Sequence, residues 1–220
     1  MLPKFKDENL LMTALSHRSS LNEKSSGTKA TESNERLEFL GDAVLELATT
    51  RFLYEKFPSE PEGVLTSYRS ALVKTTTLAE LANDLDLGKK MYMSKGEEAT
   101  GGRENEGLLA DVTEAVIGAL YLDQGFDAVE KFLQDYLFPK FEEIKKKRLY
   151  KDGKSFLQEL VQAKGLPTPS YEVIKEVGPD HDKEFTVQVS VGSQIRGTGV
   201  GKSKQLAQQS AAEQALEMYK

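Results

Sequence analysis

Hydrophobic spacing along the 220 residues is helical throughout the first part and changes character after about residue 148. Up to about residue 148 apolar side chains recur every three or four positions, as on helices buried along one side; beyond residue 170 they alternate, as in strands. Leu10, Leu11, Ala14 and Leu15 predict a first helix, and the polar stretch 21–34 a loop. Ser33 or Asn34 is placed to cap a helix over 35–57, which Pro58 stops. Further helices are predicted over 62–85, 108–122 and 127–148, with a glycine-rich loop at 95–107. On the last helix Glu142 and Glu143 stand four residues before Lys146 and Lys147, a favourable spacing, and Lys145 to Arg148 reads as a solvated helix end.

Past a hinge at Lys151 to Gly153, a short helix over 155–163 precedes Pro167 and Pro169. Phe185, Val187, Val189 and Val191 then alternate with Thr186, Gln188 and Ser190, and Gly192-Ser193 turns the chain into a strand over 194–200. Leu206, Ala207, Ser210, Ala211, Gln214 and Leu216 return to helical spacing over 203–219. The pattern predicts an all-α domain at 1–148, a linker at 149–153, and an α+β domain of order α-β-β-β-α at 154–220.

Composition narrows the chemistry. Without cysteine there is neither a disulfide scaffold nor a thiolate metal site, which suits a reducing, cytoplasmic setting, and a total of two histidines argues against a histidine-built metal cage. Any metal would rest on oxygen ligands, which favours a hard cation such as Mg²⁺ or Mn²⁺. No apolar run approaches the roughly 18 residues of a membrane span. The net charge of −6 lies wholly in residues 1–148, with 20 Lys+Arg against 26 Asp+Glu; residues 149–220 hold 9 of each. Between Phe185 and Ala212 stand Arg196, Lys202 and Lys204 and no acidic residue, so the local sign there suits a polyanion.

Two acidic pairs sit where charge is costly. The helix from Gly107 to Tyr121 is apolar or small except for Asp111 and Glu114, three residues apart on one face and without a Lys or Arg within a turn or two. On the helix beginning at Glu35, Glu38 and Asp42 are i,i+4 neighbours among apolar residues. Two readings follow: the acids face water, or the helices cross and bring four carboxylates together on divalent cations. Gly41 and Gly118, mid-helix at a cost of about 1 kcal/mol each relative to Ala, fit a close crossing.

The run Asn34-Glu-Arg-Leu-Glu-Phe-Leu-Gly-Asp42 resembles the signature of bacterial ribonuclease III. Glu62-Gly-Val-Leu-Thr66, Lys95-Gly-Glu-Glu98 with Gly101-Gly-Arg103, and Leu109 to Ala115 match further motifs of that family in order. The resemblance implies Mg²⁺-dependent cleavage of double-stranded RNA, with Mn²⁺ as a substitute, by a cytoplasmic homodimer that processes rRNA, mRNA and other structured precursors. Products would carry 5′-phosphates and short 3′ overhangs. By motif, Glu38, Asp42, Asp111 and Glu114 become metal ligands, with Asp42 and Glu114 catalytic. Glu35 becomes a residue behind the ligands or on the substrate side, and Glu62 an RNA contact. Phe39 becomes a dimer-interface anchor, the alternative being an ordinary core aromatic. The second domain resembles the double-stranded-RNA-binding domain, which implies RNA contacts by Gln158, Glu159, His181, Lys202, Ser203 and Lys204. For His181, a satisfied loop histidine is the other reading. Gln205 stands where that pattern has a second lysine, and Gln208 where it has glutamate, so one phosphate charge is lost.

Three rivals can be weighed on residues. The run Gly197-Thr-Gly-Val-Gly-Lys-Ser203 is not a phosphate-binding loop, because Arg196 occupies the position of the first glycine, so no nucleotide cofactor is expected. A di-iron bundle would need Glu-x-x-His pairs, and neither His17 nor His181 follows a glutamate at that spacing. A binding protein that grips duplex RNA without cutting it would not need all four acids.

Overall fold

The computed structural model describes residues 2–22, 30–146, 153–179 and 183–219. The chain forms two compact units, Met1–Tyr150 and Lys151–Lys220. The first contains the helices α1 (Glu8–Ala14), α2 (Glu35–Lys56), α3 (Glu62–Val73), α4 (Thr75–Asp84), α5 (Leu87–Lys90), α6 (Lys95–Ala99), α7 (Glu106–Gln124), α8 (Phe126–Tyr136) and α9 (Lys140–Lys146). The second contains α10 (Gly153–Ala163), β1 (Ser170–Val177), β2 (Glu184–Val191), β3 (Gln194–Gly201) and α11 (Lys204–Glu217). The first unit is mostly helical and the second is a small antiparallel sheet with flanking helices, as the change of period predicts.

The axis of the first unit is α7, which buries Leu109, Val112, Ala115, Val116, Ile117, Ala119 and Leu120. Its main partners are α2 and α4. Where α2 crosses α7 the backbones touch: a Cβ on Gly41 would lie 3.0 Å from the Gly118 nitrogen, and one on Gly118 3.0 Å from the Gly41 nitrogen. The two mid-helix glycines therefore trade helix propensity for a crossing that no side chain could separate.

Several predicted boundaries need correction. The single helix over 62–85 is two, because Lys74 is extended (ψ 152°) between α3 and α4, and Thr77 Oγ1 donates to the Ala71 carbonyl (2.9 Å) across the break. The helix over 127–148 also breaks. Pro139, which has no N–H, stands between α8 and α9, and the amides of Leu137 and Phe138 both donate to the Leu133 carbonyl. Glu142 meets Lys56 of α2 at 2.8 Å rather than Lys146, while Lys147 and Arg148 lie outside the described residues. The stretch read as a glycine-rich loop holds α6, whose cap Ser94 accepts from the Glu97 amide, and a 3-10 turn at Gly102–Glu104. Asn34 occupies the cap position of α2 without a side-chain cap bond, and Ser33 donates to the Glu35 carboxylate instead.

In the second unit the sheet order is β1-β2-β3, antiparallel, with irregular register between Val173 and Lys175 and between Val189 and Ser190. Its core joins Leu157 and Val161 of α10 with Val187, Val189 and Val191 of β2 and Ala207, Ala211, Ala212 and Ala215 of α11. Small residues on both sides let helix and strand meet. A Cβ on Gly199 would fall 2.1 Å from the Ala211 nitrogen, which explains the spaced glycines of β3 as a packing seam.

Candidate functional site

The crossing of α2 and α7 brings Glu38, Asp111 and Glu114 together. One carboxylate oxygen from each lies within 4.8 Å of the others, and all three residues are half-buried. Asp42, one turn beyond Glu38 on α2, is exposed and stands outside that group of three, yet its charge acts on both Glu38 and Glu114. Burial pushes the Glu114 carboxyl up to about 8, and the neighbouring charges of Asp42, Asp111, Glu38 and Glu46 push in the same direction. Burial also raises Glu38, with Asp111, Glu35 and Asp42 adding to it. Asp111 is raised by burial and partly relieved by His17. Like charges gathered in a poorly solvated place resist ionisation until a cation joins them. Three oxygen donors at this spacing fit one hard divalent ion, and nitrogen or sulfur donors are absent from the group.

A cavity of about 390 Å³ opens beside two of the three acids, lined by His17, Arg18, Asn34, Glu35, Glu38 and Asp111 among others. Glu35 accepts from Ser33 (2.7 Å) and stands 3.7 Å from Arg18. Glu46, another turn along α2, is held by Arg69 of α3 at 2.8 Å. Sequence reasoning passes over His17, Arg18 and Arg69, which sit on other elements. It gives Asn34 only a capping role, although its place directly before the acids of α2 is a signal.

The other predicted residues lie apart from the acids. Glu62 begins α3, exposed, with Thr66 Oγ1 donating to it (3.0 Å), and lines a second cavity with Tyr54 and Arg69. Phe39 is 81% exposed on α2 and so is not a core aromatic of this unit. In the second unit Gln158 and Glu159 are exposed on α10. Ser203 Oγ caps α11 by accepting from the Leu206 amide (3.2 Å), which leaves Lys202 and Lys204 at the exposed helix start. Lys204 is engaged with Glu176 of β1 at 3.1 Å. His181 lies outside the described residues.

Residues 7–141 match the family model described as ribonuclease-III-like, and residues 154–219 match the double-stranded RNA binding motif. The chain belongs to the ribonuclease III family. Ribonuclease 3 of Geobacillus kaustophilus is 50% identical over 213 residues, covering 97% of this chain and 85% of that protein. Ribonuclease 3 of Bacillus licheniformis is 49% identical over 96% of this chain and 84% of its own length. Among solved structures, the nuclease domain of ribonuclease III from Campylobacter jejuni superposes with a TM-score of 0.56 at 43% identity, covering 63% of this chain and 88% of that one. This ribonuclease III family member is accordingly a double-stranded-RNA-specific endonuclease, a hydrolase with a nuclease unit and an RNA-binding unit. No helix among the described residues is long and apolar enough to cross a membrane.

Proposed function

We propose that Glu38, Asp42, Asp111 and Glu114 hold Mg²⁺, for which Mn²⁺ can substitute, and that the site hydrolyses each strand of a duplex RNA to 5′-phosphate ends with short 3′ overhangs. The observation that carries this is the meeting of Glu38, Asp111 and Glu114 on two helices that cross in backbone contact. Bound there, a divalent cation supplies Lewis acidity to the phosphoryl group and acidifies water. The carboxylates hold and orient it. Asp42, exposed beside the group, is placed to complete the ligand set from the solvent side, and Glu114, the innermost, fixes its depth. Glu35 acts from the substrate side of the cavity, and Glu62 touches RNA.

In this reading residues 1–148 cut, 154–220 grip the duplex, and 149–153 join them. Gln158 and Glu159 reach one minor groove, His181 the next, and Lys202, Ser203 and Lys204 the phosphates between, in the manner of modules that read A-form shape. Phe39 anchors a homodimer; support comes from the ribonuclease III nuclease domain of Campylobacter jejuni, which has structural flexibility in a region involved in dimer formation. The setting is the cytoplasm and the substrates are rRNA, mRNA and other structured precursors. A cleavage assay on matched RNA and DNA duplexes tests the core of the proposal. We expect cutting of RNA alone, dependent on added Mg²⁺ and stopped by chelation. Cutting that persists in chelator would sink it.

A further inference from the structure

The cavity beside the acids is also lined by two polar side chains that the ligand set does not use. Asn34 is only 3% exposed and lines the cavity. Its backbone is fully engaged, the N–H donating to the Ser16 carbonyl (2.9 Å) and the C=O accepting from the Glu38 amide (2.8 Å). Its side-chain amide makes no cap bond to α2 and faces the cavity. An amide held in a cavity wall offers both a donor and an acceptor to whatever enters.

His17 is held against the same cavity. Its backbone N–H donates to the Tyr92 carbonyl (2.9 Å). The Ser19 amide donates to Nδ1 (3.3 Å), and Ser19 Oγ lies 2.8 Å from the same nitrogen while accepting from the Ser94 amide (3.0 Å). Nδ1 is therefore an acceptor, and the ring hydrogen resides on Nε2. With Nδ1 occupied by Ser19, the ring offers its Nε2–H as a donor on the cavity wall beside Asp111.

The chemistry of these groups selects their ligand. Among the described residues the walls carry Glu35, Glu38 and Asp111, and the guanidinium of Arg18 stands 3.7 Å from Glu35, so a bare anion is opposed. A neutral hydroxyl is not. It needs a donor and an acceptor together, which an amide offers, and a second donor such as the imidazole N–H completes the set. In duplex RNA the hydroxyl at hand is the ribose 2′-OH, the group that separates RNA from DNA. We propose that Asn34, assisted by His17 Nε2–H, binds a ribose 2′-hydroxyl next to the scissile phosphate. The cutting step itself, and not only the second unit's grip, thereby selects RNA. This rests on the acid group being the cutting centre.

The test uses the full chain and duplexes with a single 2′-fluoro or 2′-deoxy nucleotide at each position around the cut, followed under single turnover. 2′-Fluoro keeps the ribose pucker of RNA but cannot donate, so it separates contact from shape. Wild type should lose roughly tenfold or more in rate at one position. Asn34→Ala should lose a similar factor on all-ribose RNA and show no further loss at that position, because the two changes remove the same contact. Its thermal unfolding should match wild type, since the amide makes no cap bond to α2. His17→Gln, which keeps a donor, should cut faster than His17→Ala. Should Asn34→Ala fail to fold, the similarly sized Asn34→Leu, which has no polar atom to bond the hydroxyl, carries the same comparison. A wild type indifferent to every single 2′ change, or a loss in Asn34→Ala that simply multiplies with it, overturns the inference while metal-dependent cutting stands. No metal-dependent cutting of all-ribose RNA overturns the underlying reading instead.

Discussion

Gly41 and Glu114 are in backbone contact: a methyl group on Gly41 would stand 1.8 Å from the Glu114 carbonyl oxygen. The residue that carries the innermost carboxylate is thus also the one whose main chain sets the helix crossing. Gly41→Ala should destabilise the first unit by about 3 kcal/mol despite the better helix propensity of alanine, because backbone cannot yield as a side chain can. Gly63→Ala, where nothing lies within 4 Å, is the control and should be neutral or gain up to about 1 kcal/mol. Chemical denaturation of both variants checks the pair.

Glu114 links stability to pH in metal-free protein. Its folded carboxyl titrates near 8, above the unfolded value of 4.5, so the folded chain keeps a proton that the unfolded chain has released. The stabilisation is full below about 4.5 and is lost as pH rises through 8, on the order of 3 kcal/mol in all once solvent screening of a half-buried group is allowed for. Melting temperatures in chelator should fall from about pH 5.5 to about 8.5 in wild type and much less in Glu114→Gln. Added Mg²⁺ should flatten the wild-type slope, and cleavage by Glu114→Gln should collapse with duplex affinity nearly unchanged. Parallel melting curves for the two proteins would remove Glu114 as the source.

Phe39→Ala should weaken self-association by about 2 kcal/mol or more, as loss of an exposed aromatic anchor does at an interface. Sedimentation equilibrium reads the shift. A monomeric wild type that still makes both cuts would refute the anchor.

Glu176 holds Lys204 in an exposed ion pair that a phosphate contact by Lys204, as proposed, would have to displace. Glu176→Gln should therefore tighten duplex binding roughly twofold, given what an exposed ion pair is worth, and should steepen its salt dependence. Titrations at two salt concentrations decide it, and an unchanged affinity would mean that Lys204 does not meet phosphate.

A fragment ending near Arg148 should cut duplex RNA at low salt and lose activity steeply as salt rises, since fewer phosphate contacts remain. If it equals the full chain at physiological salt, the binding role given to residues 154–220 is wrong.

The acid-bearing faces are legible in the sequence because each pair breaks an apolar pattern at helical spacing. The paired glycines at 41 and 118 signal that the two helices meet. Helix ends are less legible: the extended Lys74 lies inside continuous helical spacing, and Pro139 is outweighed by the periodicity around it. The cavity is hidden for another reason. His17, Asn34 and Asp111 come from three separate stretches, brought together by the packing of α2 on α7 and by backbone bonds such as Asn34 to Ser16 and His17 to Tyr92. The group of three excludes Asp42 for a reason spacing cannot supply, since i,i+4 residues share a face without sharing a depth.

The register irregularities of the small sheet bear on behaviour at high concentration. A three-stranded open sheet has two free edges, and an unbroken edge invites a strand from another molecule. Here the pairing slips at Val173/Lys175 on one side and at Val189/Ser190 on the other, and β1 adds Glu172, Lys175 and Glu176 near its slip. Neither edge offers a straight template. Crowded on a long RNA, neighbouring copies are thereby denied the edge-to-edge pairing that begins aggregation.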